Sequence, residues 1–485
     1  MSKIRTKDIS SNPAMHGLFG EQENVDEAEE TENLNDPDHI SIQVVEAAET
    51  ELERRRSKDS GPKDITIVLL GETGVGKSSL VNGIVNYLAF ESLKEAESSE
   101  PFYLIPSKFY FENQEIFVGE RDANEELDSD GASATQRPKA YEFTHNNRIY
   151  RIIDVPGVGD CRGVDQDRKN FDYIIEEINK YSNINAFCIL MPSDEARMPV
   201  TMKYCIHELL SNLHAEAAKN IVFCFTKARL TFYQNGETYQ ILENHLQNLK
   251  ADKGIAIELS AKTTFHFDNE AFKYLFVRSK SNEFDCYREE FEKSWDVSKE
   301  NTLRLFDYVS SLPPHNTEQM AALTEAKRLI LKMTQLAADV MKKIEVEKGR
   351  GGHVEALQKA QTEIQDICSR CSAFLHQNSL SVANDEYLEY LNEAISRAEQ
   401  EVSFGESHEK LDGLKESLLT YEQQVILLEN NRSVCDPVLI EDIYKFESKL
   451  SILAEEIDSY LSQAASSSRN IQLKSSIRLN IKCNK

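Results

Sequence analysis

Short apolar runs alternate with segments of helical periodicity through residues 63–312. The clearest runs are ITIVLL at 65–70, AFCILM at 186–191 and IVFCFT at 221–226. Uninterrupted apolar runs of this length are typical of strands that are buried on both faces of a sheet. Because they alternate with helical segments, we predict an α/β domain with a mostly parallel sheet and right-handed crossovers. Its ligand site should lie at the carboxyl ends of the strands.

The other elements of this region have weaker patterns. Aromatic and β-branched residues favour further strands at 102–105, 109–118, 149–155 and 263–267. Helical periodicity predicts helices at 80–88, 171–180, 199–213 and 238–249. A loop at 119–138, which is first acidic and then rich in small residues, separates two of the predicted strands.

The pattern changes after Leu312-Pro313-Pro314, where Ala, Glu, Lys, Leu and Gln become frequent. Apolar residues then recur at alternating spacings of three and four, which is a heptad seam. The seam consists of Leu323, Ala326, Ile330, Met333, Ala337, Val340 and Ile344. Glycines at 349–352 interrupt it, and helical patterns resume at 354–374, 387–402, 409–430 and 437–461. We predict an antiparallel bundle within the chain, with a dimeric coiled coil as the alternative.

These patterns divide the chain into five parts. The first part is acidic and the last is rich in serine, so both are predicted to be loose. The parts are a disordered acidic tail at 1–40, a helical lead-in at 41–62, the α/β domain at 63–312, a helical bundle or coiled coil at 316–462, and a loose tail at 463–485.

Composition narrows the class of protein. The 485 residues carry a formal net charge of −27 and have a pI near 4.9, which argues against nucleic acid as the main partner. No apolar run is long enough to cross a bilayer, and no secretory signal opens the chain, so we expect no integral membrane segment. The nine scattered cysteines fit reduced thiols in the cytoplasm. Cys368 and Cys371 have the spacing of half a zinc site, but core packing is the favoured interpretation because no second pair follows.

The stretch GETGVGKSS, from Gly71 to Ser79, lies between a predicted strand and a predicted helix. This is the context that the phosphate-binding pattern G-x-x-x-x-G-K-[ST] requires. Its glycines let successive backbone N–H groups point at one anion, and the helix adds its positive end. Lys77 supplies a point charge for the β- and γ-phosphates, and the Ser78 hydroxyl can bind Mg²⁺.

Two later stretches predict the loops that would respond to a γ-phosphate. Thr135 lies in the small-residue loop, where its hydroxyl and backbone could meet Mg²⁺ and that phosphate. The predicted strand at 149–155 ends in Asp154-Val155-Pro156-Gly157, which places an acid where Mg²⁺ is held directly or through water. The Gly157 N–H can approach the γ-phosphate. The predicted magnesium ligands are therefore Ser78, Thr135 and Asp154.

The base-recognition segment departs from the usual GTPase pattern. GTPases commonly carry NKxD after the strand that here ends at Thr226, and Lys227 occupies the lysine position. Arg229 stands where the guanine-reading Asp belongs, and a guanidinium cannot accept a hydrogen bond. Ser260-Ala261-Lys262 and Asp268-Asn269-Glu270 are the two later stretches that could contact the base. We favour Asn269, whose amide can both donate and accept, with Glu270 as a possible acceptor.

Together these segments resemble the septin-like (paraseptin) branch of P-loop GTPases. They are most similar to the immune-associated (GIMAP) and chloroplast-import (Toc) GTPases. The resemblance covers about residues 63–280 and rests on GETGVGKSSLVNGI, SATQRPKAYEF, DVPGVGD, FCFTKAR and FDNEAF in this order. It implies a G domain with catalytic roles for Lys77, Thr135 and Gly157 and with Mg²⁺ as cofactor. The implied nucleotide contacts are Glu72, Thr73, Gly74, Val75, Gly76, Lys77, Ser78, Ser79, Lys227 and Asn269.

The predicted function follows from these motifs and from the positions at which they differ from the usual GTPase motifs. Val158 stands where Ras-like enzymes carry a water-orienting glutamine, so intrinsic GTP hydrolysis should be weak. Relatives of this branch pair across their nucleotide sites, which implies a homodimer through the G domain that raises the rate, and Arg162 is a candidate for supplying charge. We predict a GTP/GDP switch whose helical half relays nucleotide state to a protein partner. The alternatives are a nucleotide-stabilised scaffold and an ATP-binding protein without significant turnover.

Overall fold

The structure is a computed structural model. It describes residues 42–43, 64–111, 114–128, 133–146, 148–278, 285–348, 354–382, 385–404, 407–430, 438–453, 455 and 457. The predicted tails at 1–40 and 463–485 and most of the lead-in at 41–62 lie outside the described residues. Within the lead-in, Ile42 and Gln43 form a short strand and not the predicted helix.

A seven-stranded sheet organises the first part of the described chain. The strands of the described chain, in all sheets, are β1 Ile42–Gln43, β2 Ile65–Gly71, β3 Ser107–Phe111, β4 Gln114–Val118, β5 Lys139–His145, β6 Arg148–Asp154, β7 Asn183–Ile184, β8 Ala186–Pro192, β9 Ile221–Thr226, β10 Thr264–His266 and β11 His315–Asn316. Seven of these strands form the main sheet, in the order β1-β5-β6-β2-β8-β9-β10. The last five of these strands are mutually parallel, whereas β5 is antiparallel to both of its neighbours. This confirms the predicted α/β class with a mostly parallel sheet.

Helices cover both faces of the sheet. They are α1 Lys77–Ala89, α2 Leu93–Glu97, α3 Val164–Ile178, α4 Val200–Asn212, α5 Glu237–Lys253, α6 Glu270–Arg278 and α7 Arg288–Ser311. Alternate side chains of the central strands pack on α3, α4 and α5 on one face and on α1 and α7 on the other. Every residue of β2, β8 and β9 is buried, as their continuous apolar sequences predicted. The carboxyl ends of these strands therefore share one edge.

The predicted strand at 102–105 is wrong: this segment is irregular. Its backbone is bound by side chains of α1, because Asn82 accepts from the Leu104 and Ile105 N–H groups and Asn86 accepts from the Phe102 N–H. The segment at 109–118, predicted to be a strand, is divided between β3 and β4, which pair antiparallel as a separate two-stranded sheet.

The second part of the described chain is helical, which confirms the other half of the predicted fold class. Its helices are α8 Thr317–Lys348, α9 Val354–Asn378, α10 Asp385–Ser403, α11 Glu409–Asn430 and α12 at 440–453. The heptad seam of α8 lies in one apolar cluster with α9 and α12. Cys368 and Cys371 are buried in that cluster, and burial raises the pKa of the Cys368 thiol to about 11. Within the described residues, no helix is both long and apolar enough to span a membrane.

α10 and α11 belong to a different core. Tyr387, Tyr390 and Leu391 of α10 are buried in the cluster that contains α3, α4 and the sheet. The Tyr204 ring of α4 lies 5.6 Å from the Tyr387 ring and 5.2 Å from the Tyr390 ring. The helical region therefore packs directly against the α/β domain.

Candidate functional site

The turn between β2 and α1 is open to an anion. Gly74 and Gly76 adopt φ values of +78° and +99°, which favour glycine and let the backbone curl. A Cβ built on Gly74 would meet no atom within 4 Å. Among the described residues, no protein acceptor is hydrogen-bonded to the N–H groups of Gly74, Gly76, Lys77 or Ser78. These donors at a helix N-terminus form a cradle of the kind that suits a phosphate group.

Lys77 lies beneath this cradle. Its Nζ donates to the carbonyl oxygens of Gly71 and Glu72, at 3.2 and 3.0 Å. Burial lowers the pKa of the Lys77 ammonium, and the opposing charge of Asp154 works against that shift. The Glu72 carboxylate accepts a hydrogen bond from Thr201 of α4, and burial raises its pKa. Glu72 therefore ties the loop to α4 and is not directed at an anion.

Four oxygen-bearing side chains meet beside Lys77. Ser78 Oγ lies 2.7 Å from Asp154 Oδ2, and Thr135 Oγ1 lies 3.3 Å from the same oxygen. Thr135 Oγ1 is also 3.1 Å from a carboxylate oxygen of Glu125. Asp154 Oδ1 is buried and has no hydrogen-bond partner. An orphaned carboxylate oxygen among hydroxyls is a donor set that fits Mg²⁺, so Ser78, Thr135 and Asp154 suit the predicted ion.

The pattern did not indicate Glu125. Its carboxyl is buried beside Asp154, and these two effects raise the pKa of Glu125 to about 8. The backbones of Glu125 and Thr135 form an antiparallel β-bridge. This bridge places the acidic part of the 119–138 loop beside the side-chain oxygens of Thr135 and Asp154. The acidic character of that loop was the available signal, but nothing in the sequence selected one acid among several.

The DVPGVGD loop, residues 154–160, contacts both the glycine-rich turn and the Thr135 loop. The Gly157 N–H donates to Ser133 Oγ at 3.0 Å, so the predicted phosphate-sensing group contacts the Thr135 loop in this conformation. A Cβ on Gly157 would lie 2.5 Å from the Cα of Thr73, which explains why glycine is required there. Val158 is buried, accepts from the Thr73 N–H at 2.8 Å and donates to the Gly71 carbonyl at 3.3 Å.

Asp160 connects the same loop to the Thr135 loop. Its Oδ2 accepts from the Ser133 N–H at 3.0 Å and from Arg162 at 2.6 Å. Arg162 also donates to the Gln136 side chain at 2.9 Å. The predicted charge-supplying Arg162 is thus engaged between the two loops.

A second carboxylate connects the DVPGVGD loop to the helical region. Asp167, in the first turns of α3, accepts from the N–H groups of Gly159 and Asp160, at 3.0 and 3.1 Å. Tyr390 of α10 donates to Asp167 Oδ2 at 2.7 Å. Burial raises the pKa of Asp167 to about 6, although these hydrogen bonds oppose the shift. Neither Asp167 nor Tyr390 was predicted, because their contact spans 223 positions of the sequence.

The predicted base-reading residues lie at the carboxyl ends of β9 and β10. Lys227 is exposed and has a φ of +53°. Arg229 Nε lies 3.3 Å from Asp268 Oδ2, and Glu270 pairs with Lys273 at 2.7 Å, so both acids are engaged. Asn269 is buried against the glycine-rich loop.

The position of Asn269 is defined by two glycines. A Cβ built on Gly76 would lie 3.6 Å from Asn269 Nδ2, and one built on Gly83 would lie 3.3 Å from Oδ1. That Oδ1 is buried without a hydrogen-bond partner. Of the remaining predicted contacts, Thr73 Oγ1 is likewise buried and unpartnered, Val75 packs in the core, and Ser79 is partly buried in the first turn of α1.

Comparison with known proteins gave structural similarity alone. No family model and no curated protein matches the chain. Toc33 from Arabidopsis thaliana in complex with GDP and Mg²⁺ is 14% identical, with a TM-score of 0.31 over 56% of this chain and 96% of that one. The FeoB G-domain from Methanococcus jannaschii is 14% identical, with a TM-score of 0.22 over 49% and 99%. Translation elongation factor SelB from Methanococcus maripaludis, in complex with the GTP analogue GPPNHP, is 11% identical, with a TM-score of 0.24 over 46% and 33%. Similarity at this level does not assign the chain to a family.

Proposed function

We propose that this protein is a guanine-nucleotide-binding switch. One observation carries the proposal: the glycine-rich turn has N–H groups without a described acceptor and leads directly into Lys77 and Ser78, both of which interact with Asp154. Backbone donors, a buried ammonium and hard oxygen ligands are what a nucleoside triphosphate with its magnesium ion requires. The ion would be held by Ser78, Thr135 and Asp154 and would neutralise charge on the phosphates.

Lys77→Met tests phosphate binding. It removes the ammonium and keeps the aliphatic stem, so GDP and GTP affinities should each fall by about a hundredfold, because charged hydrogen bonds are worth about 1.5–3 kcal/mol. Lys94→Met, at an exposed position of α2, is the matched control and should bind as the unaltered protein does. Titration with a fluorescent nucleotide measures both. Unchanged affinity in Lys77→Met would overturn the proposal.

Guanine preference is proposed to depend on Asn269. Its amide is the base-reading candidate that borders the glycine-rich turn and has an unpartnered oxygen. Competition of GTP against ATP should favour GTP, and Asn269→Ala should reduce that preference by about tenfold, the effect of one lost hydrogen bond. Glu270→Gln is the control, since its carboxylate is engaged by Lys273.

ATP binding is the second candidate function. The Arg229–Asp268 pair supports it, because it engages the carboxylate that would otherwise be available to read guanine. The same competition experiment decides between the two bases: equal competition or a preference for ATP would favour this candidate.

Hydrolysis is proposed to be slow in the monomer. Val158 is apolar, buried and bonded to the glycine-rich turn, so it cannot orient a water molecule. A second copy that supplies polar groups would make turnover per molecule rise with protein concentration. Tight nucleotide binding with no turnover at any concentration would instead favour a nucleotide-stabilised scaffold.

We further propose that nucleotide state reaches the helical region through the DVPGVGD loop. Ser133 binds Gly157, Asp160 binds Ser133, and the N–H groups of Gly159 and Asp160 bind Asp167, which accepts from Tyr390. A γ-phosphate that competes for the Gly157 N–H would alter the first contact of this series. A protein partner on the helices would then sense the change.

A further inference from the structure

A cavity of about 430 Å³ lies between the α/β domain and the helical region. Its walls come from α3 and α4 on one side and from α8, α9, α10 and α11 on the other. None of its lining residues belongs to the glycine-rich turn or to the two loops above it. The volume lies in the range of about 300–1,000 Å³ that is usual for small-molecule sites.

Much of the lining is aromatic. Phe171 of α3, Tyr204 of α4, Tyr387 of α10 and Tyr421 of α11 all line the space. The Tyr387 and Tyr421 rings meet edge to face, with their centroids 4.8 Å apart. Rings in this arrangement offer an apolar surface to an alkyl or aryl body.

Lys327 of α8 places a cation in this wall. Its Nζ donates to Ser211 Oγ at 2.8 Å and to Asn212 Oδ1 at 3.2 Å, and both partners are neutral. An ammonium has three N–H donors, so one donor has no acceptor among the described residues. No described carboxylate forms an ion pair with Lys327 within 4.0 Å. Burial lowers its pKa to about 8, and the charge of Glu208 opposes that shift.

The other charges around the cavity are two cations and two acids. Arg328 already pairs with Glu325 and Glu447. The remaining three are Arg168, Asp172 and Glu208. Asp172 and Glu208 would repel a dianion such as a phosphate monoester more strongly than a single carboxylate.

We propose that this cavity binds an amphipathic monocarboxylate, with its carboxylate on Lys327 and its alkyl or aryl body among the four rings. A partly buried ammonium with no described carboxylate within 4.0 Å is costly, and a ligand carboxylate would both pair with it and fill its free donor position. The apolar body would be removed from water by the aromatic walls.

Calorimetric titration of the full chain with decanoate at pH 7 tests the proposal. One molecule should bind per chain and saturate, while decylammonium, with the same alkyl body and the opposite charge, should bind at least tenfold more weakly. Lys327→Met should weaken decanoate at least tenfold and leave GDP affinity unchanged. Lys332→Met, at an exposed position of the same helix, should bind decanoate as the unaltered chain does.

A second variant keeps the test decisive if Lys327→Met fails to fold. Val382→Phe fills part of the cavity and keeps Lys327, so it should also weaken decanoate at least tenfold while circular dichroism is unchanged. Unaltered decanoate binding by Lys327→Met, or equal affinity for decanoate and decylammonium, would overturn the role of the ammonium. Unaltered binding by Val382→Phe would place the ligand elsewhere.

Discussion

The hydrogen bond from Tyr390 links α10 to Asp167 of α3, the carboxylate that binds the DVPGVGD loop, and Tyr390→Phe removes this bond alone. Phenylalanine keeps the ring that packs against Tyr204 and deletes the hydroxyl that donates to Asp167 Oδ2 at 2.7 Å. Asp167 is fully buried and keeps its two backbone donors, from Gly159 and Asp160. The substitution therefore isolates one contact.

The magnitude follows from the charge on Asp167. Hydrogen bonds to charged groups contribute about 1.5–3 kcal/mol, so local opening of the loop should become about ten- to a hundredfold more frequent at pH 7.5. Burial holds the pKa of Asp167 near 6 in the folded chain, against an ordinary value of 3.8. The folded state thus binds this proton more tightly, and its contribution to stability falls as pH rises from about 4 to about 6.

Loss of the Tyr390 hydroxyl extends the decrease in folding stability to higher pH. Tyr390 lowers the pKa of Asp167, so without it the pKa rises further and the variant continues to lose stability above pH 6. The difference between Tyr390→Phe and the unaltered chain should be small at pH 5 and should grow up to about pH 8.

Hydrogen exchange followed by mass spectrometry measures this locally, which avoids the assumption that a 485-residue chain unfolds in one step. Exchange at 154–163 and at 385–395 should accelerate together in Tyr390→Phe. Tyr387→Phe, one turn earlier on α10, is the control and should leave 154–163 unchanged. The reasoning is refuted if Tyr390→Phe accelerates exchange in α10 alone, or if its effect does not grow with pH.

Three further substitutions have definite expected outcomes. As pH rises from 5 to 9 without magnesium, the unaltered chain should lose stability, because the Glu125 carboxyl beside Asp154 has a pKa near 8 and is deprotonated at the expense of the folded state. Glu125→Gln has no proton to lose, so its stability relative to the unaltered chain should increase over this range by on the order of 1–3 kcal/mol. A difference that is constant across pH would contradict this. Gly157→Ala should lower the melting temperature, since its Cβ would lie 2.5 Å from the Thr73 backbone, and a cost well below about 1 kcal/mol would show that the loop moves freely. Asn82→Ala should lower the free energy of unfolding, measured by chemical denaturation, by about 2–4 kcal/mol, because three hydrogen bonds to the backbone at 104–105 are lost. Asn82 accepts two of them, from the Leu104 and Ile105 N–H groups, and donates the third to the Ile105 carbonyl. A decrease under 1 kcal/mol would show that water replaces these bonds.

The central sheet could be predicted because its strands are buried on both faces and their sequences are almost wholly apolar. α7 shows why other elements could not. Its buried face includes Ser294, Ser298 and Thr302, and the first two donate to the Asp268 carbonyl at 3.1 Å. A helix that buries small polar residues in this way lacks the apolar periodicity by which helices are recognised.

The candidate site divides in the same way. Lys77, Ser78 and Asp154 could be predicted because their positions depend on one local turn and on the end of a neighbouring strand. Glu125, Asp167 and Tyr390 acquire their positions only when distant segments pack together, and none of them lies in a recognisable pattern. Guanine reading remains a prediction, since the structure engages Asp268 with Arg229 and leaves Asn269 beside the turn.

Helices α3 and α10 line the cavity and also connect to the DVPGVGD loop, which makes the two proposals testable against each other. Asp167 and Arg168 are neighbours on α3; the first binds the DVPGVGD loop and the second lines the cavity. On α10, Tyr387 lines the cavity and Tyr390 donates to Asp167. If decanoate changes the affinity for a GTP analogue by some factor, thermodynamic linkage requires the analogue to change decanoate affinity by the same factor. Tyr390→Phe should bring that factor towards one, whereas unequal factors in the unaltered chain would mean that decanoate also acts outside the cavity.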